Sequence, residues 1–293
     1  MGPRPKGYMT KNIFILISVI AYPAFAQFES GTIVILNQSK NQIVVAADSR
    51  AVHENVDVLD NSHCKIAALN HQIIFTSTGY ARYTKLPIDA MESWDNVELA
   101  RDAFHHAAKR KNGDVEVEAI ADYWAKSVRD HWDSLYRLNR FSQSRVIKLA
   151  EANHGQLTSG VFIGAKGLFL RAAVISFDAT NLINPIDYRV GETLTACWSC
   201  GQRERGTICA VGSHLDVAAK FCSRRKMGPK LSVNTPLIGA NERTKLAVKI
   251  VELTIDAYGK TSGDVGGNVD AVTITRGSIA WNSRKQNCPE NQN

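Results

Sequence analysis

The stretch GTIVILNQSKNQIVVAADSRA, residues 31–51, decides the fold of this chain. Two runs rich in β-branched and apolar residues, 31–36 and 42–47, lie on either side of the polar segment 37–41. β-branched residues favour strands, and a short polar segment between two such runs is typical of a turn. We therefore predict that the two runs form an antiparallel hairpin.

Strand and helix patterns alternate through the rest of the chain. A second strand–turn–strand pattern has Asn70 and His71 at its turn, and Gly164 and Gly167 are predicted to surround another turn. Ser213 and Asn241 are predicted helix N-caps, because their side-chain oxygens accept hydrogen bonds from backbone N–H groups of the first turn. We predict strands at 65–69, 72–76, 160–170, 172–177, 188–197, 207–211, 269–275 and 278–281, and helices that carry the apolar faces of 97–107 and 117–135 or span 213–225 and 241–258.

The order of these elements predicts an α+β fold class. Strands are followed by two helices, then by strands, two more helices and a final pair of strands. An αββα sandwich, with two stacked antiparallel sheets and a helix pair on each outer side, buries both apolar faces of each sheet. The pattern alone leaves other α+β arrangements open.

The first 26 residues have the layout of a secretory signal. A basic leader precedes the apolar run 13–21, and Ala24-Phe25-Ala26 has the small-x-small pattern that signal peptidase reads. We predict cleavage after Ala26 and export to the periplasm or the extracellular space. The alternatives are an uncleaved membrane anchor or a true start at Met9. We divide the chain into a signal peptide (1–26), a short propeptide (27–31), one domain (32–282) and a polar tail (283–293).

Composition and charge distribution argue against nucleic-acid binding. The 293 residues are 44% hydrophobic and 22% charged, as in an ordinary globular domain. The 35 basic and 28 acidic residues give a net charge of +7. The basic residues are spread along the chain, which favours solvated helix ends over nucleic-acid binding. We therefore expect no nucleic-acid partner.

Six cysteines are present, and an even number in an exported protein favours disulfides. Cys197 and Cys200 are also spaced as half of a zinc site or as a redox pair. The further spacings, to Cys209 and Cys222, fit common zinc modules poorly, so we predict structural disulfides. Their pairing stays open, and we predict neither a metal nor a cofactor.

Thr32 becomes chemically interesting if the chain is cut between Gly31 and Thr32. A threonine hydroxyl is a poor nucleophile unless a base takes its proton. The cut would place a free α-amine, with a reference pKa of about 7.7–8.0, on the same residue as the hydroxyl. Gly31 has no Cβ, so the junction can adopt the backbone angles that attack by the hydroxyl on the Gly31 carbonyl requires.

Polar residues at fixed distances from Thr32 extend this pattern. Asp48 and Arg50 end the second strand and would orient a buried site, or would simply form a turn. Lys65 would favour the neutral amine and stabilise an ionised hydroxyl if it faces Thr32, or would lie exposed at its strand start. Gly79 would offer its N–H to an oxyanion, or would be a turn glycine.

These segments together resemble the N-terminal half of proteasome β-type and related bacterial proteasome-like subunits, which are N-terminal nucleophile (Ntn) hydrolases. The resemblance is carried by residues 31–34, 45–51, 64–66 and 78–79. It implies that Thr32 is the nucleophile, that Asp48 and Lys65 are its charge partners, and that Gly79 binds the oxyanion.

The resemblance continues in the second half of the chain. Val211-Gly212-Ser213 resembles the segment that supplies an auxiliary catalytic serine, here Ser213. Residues 264–269 resemble the segment before the last hairpin, which makes Asp264 the candidate auxiliary acid. Two positions depart from the family pattern, because Ser262 stands where the family has Asp and Val265 stands where it has Ser.

The resemblance implies a threonine peptidase or amidohydrolase that cleaves itself at Gly31-Thr32 and then acts on peptide or protein substrates. Assembly into a homo-oligomer is possible for such a protein. Because ATP is not available outside the cytoplasm, we expect no ATP-dependent unfoldase as a partner of an exported protein. The alternatives are a non-catalytic binding or scaffold subunit that retains residues 27–31, and an amidase that acts on a small molecule or cell-wall compound.

Overall fold

The computed structural model describes most of the chain from Gln27 to Cys288. The described residues are 27–30, 33–39, 41–53, 59–61, 63–84, 93–110, 115–137, 156–166, 169–178, 197–199, 207–212, 214–226, 240–261, 263–286 and 288. The predicted signal peptide and most of the predicted strand 188–197 lie outside them.

The described residues form strands and helices in the alternating order that the sequence predicts. The strands are β1 (Gln27–Ser30), β2 (Ile33–Gln38), β3 (Gln42–Ala47), β4 (Ala51–His53), β5 (Leu59–Asp60), β6 (Ile66–Ala68), β7 (Ile73–Gly79), β8 (Arg82–Thr84), β9 (Trp94–Asp95), β10 (Gln156–Lys166), β11 (Phe169–Asp178), β12 (Cys197–Ser199), β13 (Thr207–Gly212), β14 (Asp270–Thr275) and β15 (Ile279–Ser283). The helices are α1 (Asn96–Arg110), α2 (Val117–Arg137), α3 (Leu215–Lys226) and α4 (Ala240–Tyr258).

The predicted first hairpin is the centre of the largest sheet, which we call sheet I. Its strand order is β12-β13-β2-β3-β14-β15. β2 and β3 are antiparallel, with Val34 opposite Ala47 and Gln38 opposite Ile43. The apolar residues of both strands are fully buried because sheet I is covered on both faces. The hairpin prediction is confirmed for the described residues.

The second main sheet, sheet II, has the strand order β11-β10-β7-β6. Its β6–β7 pair confirms the second predicted hairpin, with Ile66 opposite Thr76. The prediction that Gly164 belongs to a turn is wrong. Gly164 lies inside β10, opposite Arg171 on one side and Ile73 on the other. An added Cβ at Gly164 would approach side-chain atoms of Ile73 and Val117 to 2.9 Å, so the glycine permits close packing there.

Three buried clusters show how these layers pack. The first cluster lies between the two main sheets and includes Val34 and Val45 of sheet I and Ile74 and Val161 of sheet II. The second packs the other face of sheet II against α1 and α2, and the third packs the other face of sheet I against α3 and α4. The described part of the chain is therefore a mixed α+β protein in which two antiparallel sheets lie between two helix pairs.

The helices differ from the sequence prediction mainly at one end. The aromatic stripe of α2 is core, as predicted, because Trp124 and Trp132 are buried against sheet II. The third helix begins at Leu215 rather than at Ser213, and His214 precedes it. The backbone oxygen of His214 accepts a hydrogen bond from Val217 at 3.2 Å, so His214 takes the capping place given to Ser213, which lies outside the described residues.

A small third sheet, sheet III, has no counterpart in the sequence prediction. Its strand order is β5-β4-β1-β8-β9, so β1 is hydrogen-bonded on both sides. The strands of sheet III have two to four residues each, too few for a periodic pattern to be recognised. The segment Gln27–Ser30, predicted as a propeptide, is thus the central strand of a sheet.

Disulfides crosslink the fold, as the cysteine count predicts. Cys64 is bonded to Cys288, and Cys209 and Cys222 also take part in disulfides. The segment predicted as a polar tail is attached to the fold, because β15 extends to Ser283 and Cys288 is buried. Such crosslinks persist in oxidising compartments. None of the described helices is both long enough and apolar enough to span a bilayer.

Gly160 in β10 tests the packing of sheet II against α2. A Cβ at Gly160 would lie 2.6 Å from two ring carbons of Trp124. We expect Gly160→Ala to lower the free energy of unfolding by about 1–3 kcal/mol, because the ring or the strand must move. Gly277→Ala is the control, because nothing lies within 4 Å of its added Cβ. Equal urea midpoints for the two variants would contradict this packing.

Candidate active site

Asp48, the residue after β3, is the centre of the candidate site. Its side chain is completely buried. Oδ1 accepts a hydrogen bond from the Ile33 N–H at 3.2 Å, and Oδ2 accepts bonds from Gly266 N–H at 2.9 Å and Arg50 N–H at 3.3 Å. The carboxylate therefore ties together the start of β2, the turn after β3 and the loop before β14.

Lys65 lies directly before β6 and is only 3% exposed, so the interpretation of an exposed strand-end lysine is wrong. Its positive charge acts on the carboxylate of Asp48. Asp48 follows a strand of sheet I, whereas Lys65 precedes a strand of sheet II. Their attraction consequently acts between the two main sheets, at one end of the sandwich.

The pKa of Asp48 reflects opposing effects. Burial raises the pKa above the ordinary value of 3.8, since a charged carboxylate loses its hydration inside the protein. Attraction to Lys65 and the three backbone hydrogen bonds lower the pKa and so limit the rise. The net effect is a pKa above 3.8, so these contacts offset the cost of burying the charge only in part.

The loop before β14 packs tightly against the residues that flank Asp48. Gly266 and Gly267 have φ values of 157° and 74°. A Cβ on Gly267 would lie 2.3 Å from Ser49 Oγ, and a Cβ on Gly266 would lie 2.3 Å from the Arg50 guanidinium carbon. The Gly-Gly pair therefore lets the loop approach closely enough for the Gly266 N–H to reach Asp48.

Arg50 fastens this loop from the other side. Its Nε donates to Asn61 Oδ1 at 2.8 Å, and its Nη1 donates to the Gly259 carbonyl at 2.8 Å. Ser49 Oγ donates to the Asn61 carbonyl at 2.7 Å. Arg50 thus holds the backbone around Asp48. Its role as an orienting residue of the site stays a prediction.

Gly79 is the last residue of β7 and has a φ of 74°, a conformation that favours glycine. It lies opposite Thr158 of β10. β7 pairs with β6, the strand that Lys65 precedes. The next residue, Tyr80, donates its N–H to the Leu157 carbonyl at 2.7 Å, so the pairing with β10 continues past Gly79. The role of the Gly79 N–H stays a prediction.

Gly31, Thr32 and Ser213 lie outside the described residues, so their side chains have no geometry to report. Sheet pairing still locates their neighbours. Ile33 is opposite Gly212 in the β2–β13 ladder. Ile33 and Gly212 consequently lie at the same end of sheet I. Asp48 binds the Ile33 N–H at that same end.

Asp264, the predicted auxiliary acid, is paired with a histidine that the sequence analysis did not single out. His214 Nε2 lies 2.9 Å and 3.1 Å from the two carboxylate oxygens of Asp264. The imidazole stacks on Tyr258 of α4, with ring centroids 3.8 Å apart and an interplanar angle of 11°. A histidine immediately after Gly-Ser, at a helix start, was the available signal.

A strap formed by the chain end supports Lys65. Cys288 is bonded to Cys64, the residue before Lys65. Lys285 Nζ donates to the His63 carbonyl and lies 3.3 Å from Asp270 Oδ2. Asp270 in turn is opposite Ala47, the residue before Asp48. The strap therefore links the backbone beside Lys65 to the strand beside Asp48.

Residues preceding Thr32 are held as an extended strand. β1 (Gln27–Ser30) is antiparallel to β4 on one side, with Ser30 opposite Val52. On its other side β1 is antiparallel to β8, with Glu29 opposite Arg82. Two residues, Gly31 and Thr32, separate this strand of sheet III from β2 of sheet I. In the sequence, the predicted cleavage point thus lies between β1 of sheet III and β2 of sheet I.

A separate cleft of about 810 Å³ lies between α4 and the start of β14. Gly267 and Asn61 line it, together with Glu252, Asp256 and Asp270. Its described lining includes none of the predicted catalytic residues. Over the described ranges, no cluster of three or more His, Cys, Asp or Glu side chains is placed to bind a metal ion.

Comparison with known protein families finds no family model that matches this chain, and comparison with curated proteins finds no match.

Lys65→Met tests the interaction between the sheets. Breaking a buried ion pair should lower the free energy of unfolding by about 3–5 kcal/mol at neutral pH, because the Asp48 charge loses its partner. Since the folded pKa of Asp48 is raised, its contribution to stability falls as the pH rises from 3.8 through that higher value. Without Lys65 the folded-state pKa of Asp48 should rise further. The decrease in the free energy of unfolding caused by Lys65→Met should therefore be smaller near about pH 4 than at neutral pH.

The control is Lys249→Met, which removes an exposed lysine that lies 3.4 Å from Glu252 on α4. An exposed pair contributes about 0–1 kcal/mol, so this variant should unfold nearly like the unsubstituted protein. Urea titrations at both pH values measure the difference. A Lys65→Met loss that does not depend on pH would contradict the pairing.

Proposed function

We propose that this protein is a threonine-type Ntn hydrolase that cleaves peptide bonds after processing itself at Gly31-Thr32. The proposal includes the finer fold assignment, an Ntn-hydrolase sandwich of the kind found in proteasome β-type subunits. The layer order and the residues around Asp48 are consistent with that assignment. Thr32, Asp48, Lys65, Gly79, Ser213 and Asp264 are the proposed catalytic set, with Arg50 in support.

Self-processing comes first in the proposed sequence of events. The Thr32 hydroxyl attacks the Gly31 carbonyl carbon, and the bond from that carbon to the Thr32 nitrogen breaks as an ester to Oγ forms. The departing nitrogen takes up the hydroxyl proton and becomes the free α-amine of Thr32. Water then hydrolyses the ester, which releases the preceding segment with a carboxylate at Gly31 and restores the Thr32 hydroxyl. The lack of a Cβ at Gly31 removes the steric barrier to this close approach.

Turnover then uses the hydroxyl and the amine of the same residue. The amine accepts the hydroxyl proton as Oγ attacks a substrate carbonyl, and the Gly79 N–H stabilises the oxyanion. The departing amine of the substrate takes up this proton from the α-amine of Thr32. Water then hydrolyses the ester between the substrate acyl group and Thr32 Oγ. Lys65, opposed by Asp48, favours the neutral amine through its positive charge.

The observation that carries the proposal of a peptide substrate is the position of β1. A chain segment that ends just before the proposed cleavage point already lies as a strand between β4 and β8. Once that segment is released, its channel offers backbone hydrogen-bonding groups on both sides to another extended peptide. Strand addition of this kind is a common mode of peptide recognition. It favours a peptidase over an amidase acting on a small molecule.

Export is part of the proposal. The leader has the layout of a secretory signal, and the Cys64–Cys288 disulfide is consistent with an oxidising compartment. We propose a periplasmic or extracellular enzyme that works without an unfoldase, as a monomer or a homo-oligomer.

Thr32→Ala tests the proposed nucleophile. We expect the unsubstituted protein to show an N-terminus at Thr32 by mass spectrometry and to hydrolyse fluorogenic peptide amides. Thr32→Ala should keep residues 27–31 and lose at least about a thousandfold in kcat/KM, as expected when the attacking group of a covalent mechanism is removed. Urea denaturation should show that the variant remains folded.

The control is Thr275→Ala, which removes an exposed hydroxyl at the end of β14, hydrogen-bonded to Ser278. This variant should be processed and active. Retained hydrolysis in Thr32→Ala, or a secreted protein that keeps residues 27–31, would reject the proposed function. The second outcome would favour the non-catalytic scaffold alternative, in which β1 is a permanent strand.

The released segment should itself inhibit the mature enzyme. We expect the peptide Gln-Phe-Glu-Ser-Gly, residues 27–31, to raise KM without changing kcat, because it returns to the channel between β4 and β8. A version methylated at two alternate backbone nitrogens should bind roughly tenfold more weakly, since each lost hydrogen bond costs about 0.5–1.5 kcal/mol. Equal inhibition by both peptides in steady-state assays would contradict strand pairing in the channel.

A further inference from the structure

A buried chain of hydrogen bonds leads from the start of α1 to the peptide group that joins Thr78 to Gly79. Asn96 Nδ2 donates to Thr158 Oγ1 at 2.9 Å, and Thr158 Oγ1 donates to the Thr78 carbonyl at 3.2 Å. Asn96, Thr158 and Thr78 are all completely buried. The proposed reaction gives no role to Asn96 or Thr158, although this chain ends beside the proposed oxyanion donor.

The direction of this hydrogen-bond chain is fixed by a backbone carbonyl. Asn96 Nδ2 also donates at 3.2 Å to the Tyr80 carbonyl, which can only accept a hydrogen bond. The amide nitrogen of Asn96, and not its oxygen, must therefore face Tyr80 and Thr158. Because Thr158 Oγ1 accepts a bond from Asn96, its own proton is directed to the Thr78 carbonyl.

The backbone of Asn96 is held on two sides. Its N–H donates to the Ala81 carbonyl at 2.8 Å, and its carbonyl accepts from Trp124 Nε1 at 3.2 Å. The side-chain oxygen Oδ1 is buried and has no hydrogen-bond partner among the described residues. An unsatisfied buried acceptor costs free energy. The Asn96 amide therefore acts through its donor, which is the group that finds partners.

The bond from Thr158 fixes the orientation of the Gly79 N–H. The Thr78 carbonyl and the Gly79 N–H belong to one trans peptide group, in which they point in opposite directions. Since the carbonyl is directed towards Thr158 of β10, the N–H points away from β10. A hydrogen bond accepted by the carbonyl also polarises the peptide and strengthens its N–H as a donor.

An irregularity in β10 lies beside Thr158. The pairing register of β10 with β11 shifts between Gln156 and Thr158. Bulges of this kind are common where a strand re-aims a side chain next to a functional site. The strand, the helix start and the buried amide thus converge on one hydroxyl.

We propose that Thr158, directed by Asn96, is a positioning residue that orients and polarises the Thr78–Gly79 peptide for stabilisation of the oxyanion. The inference rests on the proposed function, which assigns the oxyanion to the Gly79 N–H. Neither side chain forms or breaks a covalent bond in the reaction. The contacts that carry the inference lie within β7, β10, the start of α1 and the residues that directly follow β7.

Thr158→Val tests the inference, because valine has nearly the shape of threonine but no hydroxyl. Hydrolysis of a fluorogenic peptide amide is measured per molecule with an N-terminus at Thr32, as counted by mass spectrometry. We expect kcat to fall about five- to thirtyfold while KM stays within about twofold, because the lost orientation affects the transition state rather than substrate binding. Removal of an oxyanion donor itself costs more, about a hundred- to a thousandfold.

Thr158→Ser restores the hydroxyl and should return kcat to within about twofold of the unsubstituted protein. Thr254→Val is the matched control. Thr254 is completely buried in α4, and its Oγ1 donates to the Ile250 carbonyl at 2.9 Å. This variant loses the same kind of bond on the outer side of sheet I, so its kcat should be unchanged. Equal losses of kcat in the two valine variants, or no recovery in Thr158→Ser, would overturn the inference.

If Thr158→Val does not fold, Thr158→Ser and Thr158→Ala decide the question, because these two variants differ only in the hydroxyl oxygen. The alanine variant should have a kcat about five- to thirtyfold below that of the serine variant. Equal kcat values would overturn the inference.

The outcomes also separate the inference from the proposed function. If Thr32→Ala is inactive and Thr158→Val matches the unsubstituted protein, only the inference falls. If Thr32→Ala is as active as the unsubstituted protein, the proposed function and the inference fall together.

Discussion

The hydrogen-bonded carboxylate of Asp48 is the constraint on which the rest of the site depends. A buried carboxylate is costly unless donors and a positive charge surround it. Here the donors come from Ile33, Arg50 and Gly266, and the charge comes from Lys65. Moving any of these segments would leave the carboxylate unsatisfied. Asp48 therefore fixes the relative positions of these segments at one end of the two stacked sheets.

Two structural devices, far apart in sequence, maintain that arrangement. The Gly-Gly loop brings the Gly266 N–H to Asp48, and Arg50 holds the loop through Asn61 and Gly259. At the other sheet, the Cys64–Cys288 disulfide and Lys285 fix the backbone beside Lys65. The disulfide links residues 224 positions apart, a separation at which crosslinking removes much freedom from the unfolded chain. Stability and site geometry consequently share the same contacts.

The sequence predicted the parts of the fold that carry long apolar patterns. The β2–β3 hairpin and the α2 stripe were found because burial on both faces, or on one helical face, leaves a periodic signal. The strands of sheet III are too short for such a signal. Gly164 was predicted in a turn because glycine is common in turns, whereas its place inside a strand depends on the close side chains of Ile73 and Val117, which the sequence does not reveal. His214 was missed because its pairing with Asp264 joins residues 50 positions apart.

The central claim is that one residue supplies both the attacking hydroxyl and the base. Mild periodate tests it directly, because this reagent cleaves the carbon–carbon bond between an adjacent amine and hydroxyl, which only a free N-terminal threonine or serine provides. The account predicts that one equivalent converts the N-terminus of the secreted protein to an aldehyde, seen by mass spectrometry, and that hydrolysis of peptide amides is lost in proportion. An N-terminus that does not react, in a protein that remains fully active, would contradict it.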